Sequence, residues 1–190
     1  MGRRPGDRVD AAFAAVPRER FLPRRQRPFA LEDRPLPIGH GQTSSQPSTV
    51  AFMLRLLDVP EGARVLDVGA GSGWTTALLA HLVGPRGEVL GVELEPDLAA
   101  WGAANVIAAG RPWARVVPAD PDALGAPRHA PFDRILVSAE AHELPRPLVD
   151  QLAADGRMVA PVARGLEVVR RTPDGVTVAR YEGFRFVPLR

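Results

Sequence analysis

The chain contains no cysteine and no lysine. The first absence excludes disulfides, thiolate metal sites and thiol nucleophiles. The second makes every basic residue an arginine, so a pI near 10.2 accompanies a formal net charge of only +2. That balance does not describe a strongly positive surface. Arginines do crowd Arg18–Arg27, punctuated by proline, and read as a solvated face; no nucleic-acid partner is expected. No apolar run is long enough to cross a bilayer, and no apolar core follows the polar first residues as in a signal peptide. A cytoplasmic location and no membrane partner are therefore expected. The four histidines show no metal-ligand spacing, so no metal is expected. What remains is a chain of 190 residues with 45% hydrophobic content, enough for one domain, 1–190, with a sizeable core.

The chain is organised around Val65-Leu66-Asp67-Val68-Gly69-Ala70-Gly71-Ser72-Gly73. A β-branched run stops in a glycine cluster, and a helical pattern follows. This predicts a buried parallel strand, a tight turn, and a helix whose free N–H groups face a ligand. Strands are predicted at Arg64–Val68, Glu88–Val92, Arg115–Val117, Phe132–Val137 and Arg157–Val162. Helices are predicted from Pro47, with Gln46 as its cap, from Trp74 to Val83, from Pro96 to Ala109, and briefly after Pro145 as far as Ala153. The alternation implies a parallel sheet covered on both faces. An Asp155-Gly156 turn leads into the fifth strand. Leu166–Arg171 and Val176–Tyr181 then read as a hairpin about Pro173-Asp174-Gly175, and Phe184–Leu189 as a strand closing the sheet. Residues 1–12 look like a loose terminus, and Val16–Pro23 is apolar enough to pack against the rest. Phe29–Pro47 has neither helix nor strand period, which marks a functional loop.

The spacing of the turn narrows its ligand. Gly69, Gly71 and Gly73 are followed by Trp74, where a dinucleotide fingerprint wants a small residue. No Gly-Lys-Ser/Thr follows, so it is not a P-loop. Trp74 itself suits the core as well as a ligand contact. Glu93 lies at the end of the second strand, 20 residues beyond Gly73, and is placed for ribose hydroxyls. Asp120, after the third strand, is placed for an adenine amino group. Asp67 either braces the turn or meets the ligand. A nucleoside without a diphosphate fits this set, which points to S-adenosylmethionine. The expected donor-binding residues are Asp67, Gly69, Ala70, Gly71, Ser72, Gly73, Glu93, Leu94 and Asp120.

Joined to the irregular segment, these motifs resemble the protein-L-isoaspartate O-methyltransferases. The matching stretches are Val16-Pro17-Arg18 with Phe21, Ala30–Pro47, Val65–Gly73, Phe132–Ala139 and Phe186–Leu189. Asp33-Arg34-Pro35-Leu36-Pro37-Ile38-Gly39-His40-Gly41-Gln42-Thr43 is the specific part; the glycine turn is common to methyltransferases. The resemblance implies an α/β fold, a Rossmann-like class I methyltransferase. It would have a mostly parallel seven-stranded sheet, helices on both faces and a C-terminal antiparallel hairpin. It implies carboxyl methylation of L-isoaspartyl residues in a peptide or protein, leading through the ester to a succinimide; separately, a monomer is expected. It places Gln42–Gln46 over the donor and implicates Thr43 and Ser45, with Gln42, in holding the acceptor carboxylate. Asp33, Ile38, Gly39, His40, Ser44 and Ser138 are expected on the substrate side. The chemistry agrees: an ionised carboxylate needs orientation, not a base.

Departures from the family pattern bear on the acceptor. They are Pro121 in place of glycine, Glu140 in a run of small residues, Ser44 in place of an apolar residue, and only about fifteen residues before Val16. The alternative acceptor is an aspartate in a dedicated small peptide. A donor-binding module without catalysis is the contrasting class.

Overall fold

The computed structural model describes residues 7–189. Helix α1, Arg8–Ala15, is capped by Asp7, whose carboxylate accepts from the Val9 backbone N–H at 2.9 Å. It buries Val9 and Ala12. Of the expected loose terminus, residues 8–12 are therefore helical, because Val9, Ala12 and Val16 share one apolar stripe; residues 1–6 lie outside the described part. A short 3₁₀ turn, Arg18–Phe21, follows and buries Phe21 in the same core cluster as Val9 and Ala12.

The segment read as irregular is a small antiparallel hairpin. Strand β1, Leu36–Gly39, pairs with β2, Gln42–Ser44. Its alternation is too short to register as a strand period. The turn between them runs through Gly39, His40 and Gly41 at φ of 103°, 53° and 71°. Helix α2, Pro47–Leu57, then buries Val50, Met53, Leu54 and Leu57. Gln46 occupies the cap position without a capping side-chain bond. The cap comes instead from Asp33, which accepts from the Ser48 N–H at 2.8 Å and from Gln46 Nε2 at 3.0 Å. A carboxylate at a helix N-terminus also suits the helix dipole.

The sheet has seven strands in the order β5-β4-β3-β6-β7-β8-β9. They are β3 (Arg64–Val68), β4 (Glu88–Glu93), β5 (Ala114–Pro118), β6 (Phe132–Val137), β7 (Leu152–Val162), β8 (Gly165–Thr172) and β9 (Gly175–Glu182). The first five in that order are parallel; β8 and β9 add antiparallel hairpins. The crossovers are α3 (Trp74–Val83), α4 (Pro96–Ala108) and α5 (Arg146–Val149). Strand residues alternate between two cores. Val65, Val89, Leu136 and Val159 pack with α2 and α3, while Leu66, Leu90, Ile135 and Met158 pack with α5. This period fixes the direction of Asp67: it shares the α3 face with Val65.

Three boundaries differ from expectation. Helix α5 stops at Val149, short of Ala153, because Leu152 already pairs with Phe132 in the sheet. Asp155, at φ 60°, and Gly156 form an irregularity inside β7, not a turn before it. Phe184–Leu189 does not close the sheet. It crosses the strand ends, held by bonds between the Glu140 N–H and Val187 and between the Leu189 N–H and Glu140. Phe184 stacks on Phe52 with ring centroids 5.6 Å apart, which anchors this segment. Among the described residues, no helix is long and apolar enough to cross a membrane.

Candidate active site

The glycine turn leaves β3 at its carboxyl end, where parallel strands of this kind present ligands. A cleft opens there. One wall is Gly69, Ala70, Gly71 and Ser72; the next is Glu93 and Leu94 at the end of β4. Beyond them lie Asp120, Pro121 and Leu124, after β5. Ile38 and Gln42–Ser45 of the small hairpin cover the opposite side, with Ser138 and Val187–Leu189. The hairpin, the turn and three strand ends therefore meet in one place.

Glu93 is buried at 7% exposure and held by the backbone. It accepts from the Gly71 N–H at 2.8 Å and from the Glu95 N–H at 3.0 Å. Each carboxylate oxygen can accept further donors. The residue thus braces the glycine turn and also faces the cleft. Asp120 is exposed, and one oxygen accepts from the Asp122 N–H at 3.0 Å, leaving the other toward solvent.

Two residues expected to touch the donor do not line the cleft. Gly73 is one. It begins α3 at φ 85°, and a Cβ there would lie 2.8 Å from the Gly102 carbonyl and from Val106. Its smallness serves the crossing of α4 over the turn. Gly102 answers from α4: a Cβ there would lie 2.6 Å from the Gly71 carbonyl.

Asp67 is the other. It is fully buried, and its Oδ2 accepts from Thr75 and Thr76 hydroxyls at 2.7 Å each. Ser138 approaches its Oδ1 at 3.4 Å. Asp67 therefore braces the turn from beneath, as its side of the strand dictates. Burial pushes its carboxyl up to about 6, against the bonds from Thr76, Thr75 and Ser138, and the charge of Glu93 adds to the rise. Because the folded value exceeds the unfolded one, the folded chain binds more protons between them. Stability from this group is full below the unfolded value of 3.8 and is lost as pH rises through about 6. Asp67→Asn is expected to remove that slope. Denaturant unfolding on either side of this pH window should show the variant losing about 3 kcal/mol less than the wild type on going from acid to neutral pH. An unchanged slope would place the titrating group elsewhere.

The expected substrate-side residues divide. Ile38 and Ser138 face the cleft. Asp33 does not; it caps α2. Ser44 borders the cleft, but it is buried and its hydroxyl accepts from Arg18 Nε at 3.0 Å. Gly39 and His40 form the hairpin tip outside the cleft. His40 stands 3.6 Å from both Glu95 and Asp97 at the start of α4, so it links the hairpin to that helix. By contrast, Thr43 and Ser45 line the cleft, and their hydroxyls have no hydrogen-bond partner among the described residues.

The sequence does not single out Arg18 as a site residue. Its place in a Val-Pro-Arg stretch beside buried Phe21 is the available signal. It is 5% exposed and lies beneath the hydroxyl segment. Desolvation lowers its guanidinium to about 10; the charge of Asp33 opposes this and that of Arg34 adds to it. It stays charged at neutral pH. Trp74 is buried in the core and also lines the cleft, so it keeps both expected places. It lies 5.3 Å from the Arg18 guanidinium, donates Nε1–H to Val16 at 3.2 Å, and meets Phe13 edge-on.

Known proteins share this sequence pattern and fold. A family model described as protein-L-isoaspartate(D-aspartate) O-methyltransferase matches residues 2–190. A protein-L-isoaspartate O-methyltransferase from Aeropyrum pernix is 50% identical over 96% of this chain and 72% of its own length. One from Methanothrix thermoacetophila is 47% identical over 96% of this chain and 88% of its own. A solved protein-L-isoaspartate O-methyltransferase superposes with a TM-score of 0.88 at 27% identity, covering 97% of this chain and 62% of that one. A Plasmodium falciparum relative, solved with S-adenosyl-L-homocysteine, gives 0.84 at 26% identity over 98% of this chain and 92% of its own. By a family match over nearly its whole length and relatives at half identity, the chain belongs to the protein-L-isoaspartate(D-aspartate) O-methyltransferase family.

Proposed function

We propose that this protein transfers a methyl group from S-adenosylmethionine to the α-carboxylate of L-isoaspartyl residues in peptides or proteins. The observation that carries the reading is the meeting of two loops. Thr43 and Ser45 present unengaged hydroxyls across the cleft from the glycine turn and Glu93.

The residues fit the donor. Glu93 is rigid and retains lone pairs for ribose hydroxyls, while Asp120 keeps one oxygen for an amino group. Leu94 and Leu124 supply apolar surface for a base between them. The turn exposes backbone and carries no lysine, so it suits a nucleoside better than a diphosphate.

The donor supplies an electrophilic methyl on a cationic sulfur. The protein has no proton to remove, because a carboxylate acceptor is ionised at neutral pH. Thr43 and Ser45 donate hydrogen bonds to the acceptor anion and fix its approach. Ile38 from the hairpin and Val187–Leu189 from the C-terminal segment keep water from the path. Hydroxyl donors orient the anion without pairing it so strongly that it loses nucleophilicity. The resulting ester is a better acyl electrophile than the free carboxylate, because methoxide can leave as methanol when the following peptide nitrogen attacks and closes the ring.

Matched peptides differing only in an isoaspartyl or an aspartyl residue test the reading by mass spectrometry. Gain of one methyl, or its later loss as methanol on ring closure, is expected on the isoaspartyl peptide alone. Methylation of the aspartyl peptide instead would move the acceptor to ordinary aspartate. Ser45→Ala is expected to lower turnover by about 10–150-fold, the worth of one hydrogen bond to a charged group. Donor affinity should stay within about twofold, since Ser45 is assigned to the acceptor side. Equal losses in both would make Ser45 part of the donor site.

A further inference from the structure

Arg18 makes five hydrogen bonds from inside the protein. Nε donates to the Ser44 hydroxyl at 3.0 Å, and Nη1 to the Glu32 carbonyl at 3.2 Å. Nη2 donates to the carbonyls of Arg34 at 3.0 Å, Ser44 at 2.9 Å and Ser45 at 2.9 Å. Its guanidinium also lies over Trp74, the first residue after the glycine turn. One side chain thus ties together the chain before β1, the end of β2 and the start of α3. A lysine has no such planar fork.

Two features separate this from ordinary loop bracing. The Ser45 carbonyl is drawn inward to Arg18, while Ser45 also lines the cleft. Loss of the bond would let that hydroxyl swing. Secondly, every oxygen in contact with the guanidinium is neutral. No carboxylate lies within 4 Å of it among the described residues; the nearby Asp33 is engaged by Gln46 and Ser48. A buried charge lacking a contact counterion acts over a longer range than a paired one.

The geometry points to Arg18 as the positioning residue for the acceptor carboxylate: it fixes the Thr43–Ser45 segment by its fork and biases that side of the cleft toward an anion by its charge. This rests on the carboxyl-methyltransferase reading above. It makes a two-part expectation, because shape and charge are separable. Methionine approximates the length of the arginine stem without either property. Lysine keeps the charge and loses the fork.

The test compares wild type, Arg18→Met and Arg18→Lys with an isoaspartyl peptide, measuring kcat and KM for the peptide and donor Kd by calorimetry. Arg18→Met is expected to lose about 100-fold in kcat/KM, the usual cost of a misplacement near 1 Å. Its donor Kd should remain within about twofold, which also reports folding. Arg18→Lys should recover peptide KM toward wild type while kcat stays low. Free guanidinium at millimolar concentration should partly restore an Arg18→Ala variant, since Arg18 also lines a second groove beside Phe13 and Pro47 that opens to solvent.

Wild-type peptide kinetics in Arg18→Met would overturn the assignment. So would parallel loss of donor binding and turnover, which is the mark of a purely structural residue. Should Arg18→Met not fold, Arg18→Lys decides: unchanged donor Kd with lowered kcat supports the assignment, and wild-type values for both overturn it. Failure of the wild type to methylate the peptide defeats the functional reading itself and this assignment with it. Wild-type turnover with indifferent variants defeats only the role of Arg18.

Discussion

Glu93→Ala is expected to weaken S-adenosylmethionine binding by about 1.5–3 kcal/mol, or about 10–150-fold in Kd, the range for hydrogen bonds to a buried charge. The effect has two sources. The substitution removes the acceptor assigned to the ribose. It also strips the Gly71 and Glu95 N–H groups of their partner, so the turn itself loosens. Glu93→Gln separates these contributions. One amide oxygen can still hold one of the two backbone donors, yet the negative charge is gone. Its affinity should fall between wild type and alanine. Calorimetric titration measures all three, and unchanged affinity in the alanine variant would show that the donor lies elsewhere.

Gly102→Val should destabilise the fold by about 2–3 kcal/mol and abolish donor binding at ordinary concentrations. Helix propensity alone predicts a slight gain, because glycine costs about 1 kcal/mol relative to alanine within a helix. Packing reverses the sign here. The new Cβ would sit 2.6 Å from the Gly71 carbonyl, and backbone cannot rotate away as a side chain can. Helix α4 must lift or the glycine turn must shift, and the turn forms one wall of the cleft. Thermal unfolding with and without the donor reads both losses. A variant with raised Tm and intact donor binding would show that α4 does not buttress the turn.

The expected strands and helices were legible because buried parallel strands announce themselves by β-branched runs, and the crossover helices by proline starts and glycine stops. Val65–Val68 and Glu93 could be placed for the same reason: periodicity and spacing along one βαβ unit define the end of a strand. Asp67 was less legible. Its parity with Val65 places it on the α3 face, but the hydroxyls of Thr75 and Thr76 that claim it become visible only when the helix packs. Asp33 shows the limit more sharply. Sequence proximity suggested Gln46 as the cap of α2, whereas the cap comes from a residue 15 positions before Ser48. The hairpin Leu36–Ser44 hid because two short strands around three successive positive φ values carry no measurable period. Arg18 was hidden among exposed arginines. Composition makes an arginine solvated by default, and only the convergence of carbonyls from separate segments makes it a buried hub. Resemblance supplied the hydroxyl segment, and the fold supplied its partner across the cleft.

The assigned roles of Glu93, Thr43 and Ser45 all require that the cleft make a carboxyl methyl ester. The direct measurement is base-labile methyl transfer from methyl-tritiated S-adenosylmethionine to an isoaspartyl peptide, read as volatile methanol after alkaline treatment, beside the matched aspartyl peptide. Methanol from the isoaspartyl peptide is expected well above the control. Methyl incorporation that survives alkali, or none above the control, would show that the cleft makes no such ester.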